Sequence, residues 1–416
     1  MSAKWREPEG DKRAGWGRWK RPPSAYDMYM EHEGIPVFRG VGVRRVQELP
    51  LTPWARMGGR GSFIQLYGTE GIWGCYVVEI PAASALNPER HLYEEIIFVV
   101  EGRGAAEIWQ EGARRRDILE WGPGSLFTIP LNTHHRLINA RSSGPALLLA
   151  GTSAPMVFNL FTNRDFIFNC PYPFTDRYDG GEDYFKPRPL EYEPDPHRGL
   201  AMLRTNIIPD APRFPLPLDN RRSPGFRRLE PHLGGNVFYH WIGQHDSGRY
   251  SKAHAHESAA VLICIAGKGY TYAWPREVGT RPWETGQAAR VVRQDYEPVG
   301  MVSAAPMGGQ WFHQHFGVAS EPLRLMAWFG PFGRGTGREP GRPGEDVLDK
   351  NAMHLDEGGS AIPYWEEDPY IRREYEELIA REGVPSHMDD SFYRRPGTPV
   401  PAAGGAGDPT SMGDAR

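Results

Sequence analysis

Cysteine is scarce. Three residues in 416, Cys75, Cys170 and Cys264, cannot all pair, and none stands in a Cys-x-x-Cys motif. That excludes a disulfide scaffold and a thiol redox motif, and it makes a reducing, cytoplasmic setting the default expectation. Cys264 lies in the apolar run VLICIAG and reads as a small buried hydrophobe. Long apolar runs are missing too: none approaches the roughly 20 residues that a membrane-spanning helix needs. The opening MSAKWREPEGDKRAGWGRWKRPPS is basic but has no apolar stretch, so it does not read as a secretory signal. The formal net charge is −4, which gives no global pull toward nucleic acid or an anionic membrane surface. The expected partners are therefore a small molecule and O2, with a homo-oligomer left open.

Glycine (49) and proline (39) are abundant and punctuate short runs such as GSFIQLYG, GCYVVEIP, EIIFVVEG, NVFYHWIG and LRLMAWFG. Runs of this length, rich in β-branched and aromatic residues and bounded by Gly or Pro, predict strands. A short helix is expected near Ser24–Glu33. A second is expected in DPYIRREYEELIAREG (368–383), which has an Asp cap, a Pro at the first helical position and a Gly stop.

The chain also repeats itself. ERHLYEEIIFVVEGRGAAEIW (89–109) and HAHESAAVLICIAGKGYTYAW (254–274) share an offset of 165 at His91 and His256, Gly102 and Gly267, Gly104 and Gly269, and Trp109 and Trp274. Each copy has a later partner, GPGSLFTIPLNTHHRLIN (122–139) and PVGMVSAAPMGGQWFHQHFG (298–317). Four anchors at one offset indicate an internal duplication. The two Trp are read as core packing.

These motifs resemble the two signatures of the cupin superfamily: His-x-His, a later Glu and a Gly, then Pro-x-Gly, a Pro and a final His. The first copy offers Glu89, His91, Glu95, Gly102, Gly124, Pro130, His135 and Asn139. The second offers His254, His256, Gly267, Gly300, Pro306 and His313. It departs from the pattern at Ala260, where the family has Glu; the first copy departs at Glu89, where the family has His. The resemblance implies an all-β fold of two cupin jelly-roll barrels. The expected organisation is an N-terminal arm (1–59), barrel one (60–155), a connector (156–224), barrel two (225–332), a C-terminal helical extension (333–395) and a disordered tail (396–416).

Alternate residues of a strand share a face, so Glu89 and His91 should point into one barrel mouth, and His254 and His256 into the other. Glu94 should point away from Glu95. The candidate metal sets are His91, Glu95 and His135, with Glu89 as an additional ligand, and His254, His256 and His313, with His315 as an additional or substitute ligand. Imidazole and carboxylate donors suit a divalent ion, Fe(II) first, then Mn(II) or another. Arg136 and Arg324 are candidate contacts for a substrate carboxylate. The intact His-x-His pair favours the second barrel as the reacting one, whereas the first keeps the better motif spacing. The organisation resembles gentisate 1,2-dioxygenase, which implies an Fe(II) dioxygenase acting on a hydroxylated aromatic or related small organic acid. The alternatives are an oxalate decarboxylase-like Mn(II) bicupin and a non-catalytic small-molecule-binding bicupin.

Overall fold

The computed structural model describes residues 21–181, 183–186, 190–194, 200–256, 260–306, 310–331 and 352–397, except the side chain of residue 256. Most of the expected tail, residues 1–20 of the arm and the start of the C-terminal extension lie outside these residues.

Two double-sheet barrels account for nearly all the regular structure. In the first, a large sheet runs in the order Val37–Gly40, Gly59–Leu66, Gly74–Ile80, Ala146–Thr152, Glu95–Glu101, Leu126–Ile129 and Ile207–Ile208. A small sheet of His134–Asn139, Gly104–Trp109 and Asp117–Trp121 faces it. In the second, a large sheet centred on Phe238–His245, Leu323–Pro331 and Val261–Ala266 faces a small sheet of His254–His256, Trp311–Gly317, Gly269–Pro275 and Val292–Tyr296.

The large sheets are buried on both sides, which explains their continuous apolar runs. Tyr76, Val78, Ile97, Val99, Leu148 and Ala150 face the interior of the first barrel. Their neighbours Cys75, Val77, Ile96, Phe98, Leu147 and Leu149 face outward and join Leu229, Ile242, Ile263, Met326 and Trp328 of the second barrel in one shared core. The barrels therefore pack back to back. At that seam Trp73 lies edge-on to Phe238 and Trp328, with centroids 5.4 and 6.4 Å away.

The repeat anchors have a steric cause. Gly102 and Gly267 turn with φ of +98° and +75°. A Cβ on Gly104 would lie 1.8 Å from the Ile138 carbonyl oxygen, and one on Gly269 would lie 2.0 Å from that of Phe316. Only glycine fits where the small sheet crowds this turn.

The duplication extends further toward the N-terminus than the motifs. Val37–Gly40 lies parallel to Gly59–Leu66, and Ala201–Thr205 lies parallel to Arg227–Leu233. The next short strands, Gly42–Val43 and Ile207–Ile208, again stand 165 apart, and they cross over. Gly42–Val43 pairs with Met301–Ser303 of the second barrel, and Ile207–Ile208 pairs with Leu126–Ile129 of the first. Each repeat lends an edge strand to the other's barrel, which covers edges that would otherwise be open.

Among the described residues, four α-helices flank the barrels. α1 (Ala25–Glu33) begins at a Ser24–Asp27 capping box, and α4 (Pro369–Arg381) is capped by Asp368, as the sequence predicts. The connector holds two helices that the sequence reading leaves out, α2 (Ala154–Phe161) and α3 (Arg164–Asn169). Their aromatic residues pack onto α1: Phe158 stacks on Tyr29 at 4.2 Å, and Phe168 lies 6.1 Å from it. The three helices close one end of the first barrel. All three cysteines are buried and free.

Candidate metal centre

Three donors, Glu89, His91 and His135, converge inside the first barrel, and Glu95 adjoins His91. Glu89 and His135 form a bridge in which each amide donates to the other's carbonyl, at 3.0 and 2.9 Å. That pairing puts both side chains on one face, with Glu89 Oε1 3.6 Å from His135 Nε2. His91 completes a group in which ligand atoms of Glu89, His91 and His135 all lie within 4.8 Å of one another. Glu95, the first residue of its strand, turns inward with Oε2 3.4 Å from His91 Nε2. Its neighbour Glu94 points to the opposite face, as expected. There it accepts from Arg177 Nη1 at 2.9 Å and from the Val237 amide at 2.7 Å, which ties the connector and second barrel to the first.

Backbone carbonyls set both rings. His91 Nδ1 lies 2.8 Å from the Tyr93 carbonyl oxygen, and His135 Nδ1 lies 3.2 Å from that of Thr133. A carbonyl only accepts, so each Nδ1 carries a proton and each Nε2 faces inward. Tyr93 stacks on His91 at 3.7 Å and fixes its plane. Tyr76 donates its hydroxyl to Glu95 Oε1 at 2.8 Å. Burial, reinforced by Glu95 and Glu89, pushes the Tyr76 phenol far above its ordinary value, so it stays a donor.

The electrostatics follow from one arginine. Burial pushes the Glu89 carboxyl up, but Arg56 and then His135 and His91 override it and hold the group well below the usual carboxylate range. Burial pushes His135 down, and its contact with Glu89 reverses that and leaves it raised. Arg56 pairs with Glu89 through Nη1, donates from Nε to Glu33 at 2.8 Å and from Nη2 to the Tyr29 hydroxyl at 3.0 Å. Its guanidinium lies over the rings of Trp54 and Phe168, at 5.3 and 5.1 Å. Sequence reasoning does not find Arg56, Tyr76 or Glu33. They sit outside the motif, and only the folded barrel brings them to it.

Among the described residues, His91 Nε2 and Glu95 Oε2 are both buried and lack a hydrogen-bond partner. Orphaned buried acceptors facing each other at 3.4 Å fit a cation between them. The two imidazoles and two carboxylates suit a divalent ion.

The second barrel is built differently. His254 and His313 are cross-strand partners with ring centroids 4.2 Å apart. His315 lies on the same face as His313 and meets Thr271 Oγ1 at 2.8 Å. Burial first, then His313, His245 and Arg222, pushes His315 far down, and His245 falls to about 3 through burial and Arg222. Arg222 Nη1 lies 2.8 Å from His254 Nδ1. Ala260, in place of the family's Glu, is buried in the apolar core. The His256 backbone continues the strand His254–His256, while its side chain lies outside the described residues. Among the described residues, the group able to hold a metal is in the first barrel.

Two expected substrate contacts are corrected. Arg136 points to the outer face of its strand, where Nε and Nη2 donate to Glu107 at 3.0 and 2.7 Å. Strand alternation puts it there, because its neighbour His135 points in. Arg324 donates to the carbonyls of Ala211 and Phe214 at 3.0 and 2.7 Å and to Gln244 at 2.6 Å. It pins the connector to the second barrel. Of the matched tryptophans, Trp274 is fully buried, whereas Trp109 lies on an outer face, stacked on His134 with Arg116 above it.

No protein-family model and no curated protein matches the sequence. Among solved structures, the chain is similar to vicilin from Corylus avellana (hazelnut), with 11% identity, 70% of this chain and 85% of that one covered, and a TM-score of 0.42. It is similar to Bacillus subtilis oxalate decarboxylase, in a study of that protein's Mn(II) centres, with 11% identity, 69% and 77% covered, and a TM-score of 0.42. It is also similar to Lactobacillus farciminis oxalate decarboxylase in its formate complex, with 10% identity, 70% and 86% covered, and a TM-score of 0.42. The chain is an all-β fold of two double-sheet barrels, each carrying one copy of the repeated motifs, which is the architecture that the cupin resemblance implies.

Proposed function

We propose that this bicupin is a metal-dependent enzyme whose first barrel holds a divalent ion through Glu89, His91, Glu95 and His135. In this reading it is an Fe(II) dioxygenase acting on a hydroxylated aromatic or related small organic acid. The observation that carries the metal is the facing pair of unpartnered acceptors, His91 Nε2 and Glu95 Oε2. Leaving such a group buried and unpaired costs about 1–3 kcal/mol, and a dication between them relieves both. Two carboxylate oxygens with two imidazoles favour Fe(II) or Mn(II) over softer ions.

A bound ion would supply Lewis acidity and, as Fe(II), a meeting point for substrate and O2. The protein supplies the rest. Tyr29, Trp54, Tyr93, Phe158 and Phe168 pack as an aromatic cluster near the donors. Arg56 places a fixed cation beside the site. The test is the metal content of purified protein, followed by oxygen uptake with gentisate, catechols and hydroxybenzoates. Absence of metal after reconstitution with Fe(II) or Mn(II) would overturn the reading.

A second reading, an oxalate decarboxylase-like Mn(II) enzyme, is favoured by the two hard carboxylate donors. Release of CO2 from oxalate without net oxygen uptake would select it. Binding of such acids without turnover would leave a binding bicupin.

A further inference from the structure

We infer that Arg56 is a positioning residue for the metal ligand Glu89: it takes one carboxylate oxygen and leaves the other for the ion. The inference rests on the metal reading above. Glu89 Oε2 is held by Arg56, while Oε1 lies 3.6 Å from His135 Nε2, on the side where the donors converge. A carboxylate gripped in this way offers one oxygen and cannot rotate to chelate.

The grip is itself fixed from outside the barrel. Glu33, at the end of α1, accepts from Arg56 Nε at 2.8 Å and from Trp54 Nε1 at 2.5 Å. Its side chain is 2% exposed and also meets Arg164 at 3.3 Å. Tyr29 holds the far end of the guanidinium, and Trp54 and Phe168 fix its plane. A relay Glu33–Arg56–Glu89 thus runs from the capping helix to the metal ligand.

The duplication supplies an independent observation. Glu89 corresponds to His254 at the offset of 165. Arg56 reaches Glu89 across 33 residues of sequence, and Arg222 reaches His254 across 32. Each repeat thus aims an arginine at its first donor position, from places that differ by one residue in the repeat register. In the first barrel Arg56 offsets part of the charge of Glu89 while sharing its guanidinium with Glu33.

The probe is Mn(II), titrated into metal-free protein by calorimetry and followed by its electron paramagnetic resonance spectrum. Arg56→Gln is expected to weaken Mn(II) binding about 10- to 100-fold, the usual cost of losing a partner of a ligand, and to broaden the spectrum. Arg56→Lys keeps the charge but not the fork, and it is expected to fall between the two; it gives the same reading if the Gln variant does not fold. In a Glu89→Gln background, Arg56→Gln should cost less than about twofold more, because its target is gone. An equal loss in that background would mean a merely structural role and overturn the inference. Wild-type uptake with unchanged affinity in both Arg56 variants would overturn it alone. A wild type that takes up no Mn(II) would overturn it together with the metal reading.

Discussion

Glu95→Gln should stabilise the metal-free protein and weaken metal binding at the same time. Without an ion, Glu95 Oε2 and His91 Nε2 face each other at 3.4 Å as two buried acceptors, because the Tyr93 carbonyl keeps the ring proton on Nδ1. Glutamine keeps an oxygen for the Tyr76 hydroxyl, which donates at 2.8 Å in the native protein. Its amide N–H then donates to His91 Nε2, and both orphaned atoms are satisfied. One unsatisfied buried acceptor costs about 1–3 kcal/mol. For a cooperative unit of about 150–250 residues, as two barrels with a shared core form, that is a rise of roughly 2–12 °C in the midpoint of metal-free unfolding. The substitution also removes an anionic ligand. Wild type at a hundredfold excess of metal over Kd should gain about 2.7 kcal/mol, and the variant should gain far less. Thermal melts in chelator and in excess Mn(II) measure both effects. A lower metal-free midpoint together with an unchanged Mn(II) shift would refute the reasoning.

Three further outcomes are expected. Gly330→Ala puts a methyl group where φ is +85° and 2.6 Å from Trp73 Cδ1, so urea unfolding should show a loss of about 2–5 kcal/mol. Burial raises Glu367, beneath α4, to about 8. The folded state therefore keeps a proton that the unfolded state loses near pH 4.5, and stability from this group falls as pH rises from about 4.5 to 8, by at most about 1.4 kcal/mol per unit. Glu367→Gln should flatten that profile in denaturant melts run across pH. Arg136→Ala should leave metal content and turnover unchanged and cost less than about 1 kcal/mol in urea melts, since its pair with Glu107 lies on the outer face.

Much of this was legible in the sequence because duplication prints the same constraint twice. The glycine anchors mark turns where a side chain would collide with the facing strand, so they survive in both copies. Glu95 and His135 stand at motif spacing, and strand alternation sends them inward and Glu94 and Arg136 outward. The sequence offered Arg136 as a contact for a substrate carboxylate, but it follows the inward-facing His135 on the strand and therefore faces away. The exchange of Gly42–Val43 and Ile207–Ile208 between barrels was not legible: two-residue strands carry no periodicity, and their partners lie far off in sequence. Helices α2 and α3 were missed because Phe and Asn are neutral in propensity, and packing on α1 decides them. Arg56 was missed because nothing in LTPWARMGG marks it until the fold brings Glu33 and Glu89 to either side. The intact His-x-His pair pointed to the second barrel, yet Ala260 stands there where Glu95 gives the first its inward carboxylate.

The most direct test is the metal content of three proteins after reconstitution with Fe(II) or Mn(II) and desalting: wild type, His135→Ala and His313→Ala. A metal centre in the first barrel predicts one equivalent per chain in wild type, retained in His313→Ala and lost in His135→Ala. Metal retained in His135→Ala and lost in His313→Ala would place the centre in the second barrel and contradict the account.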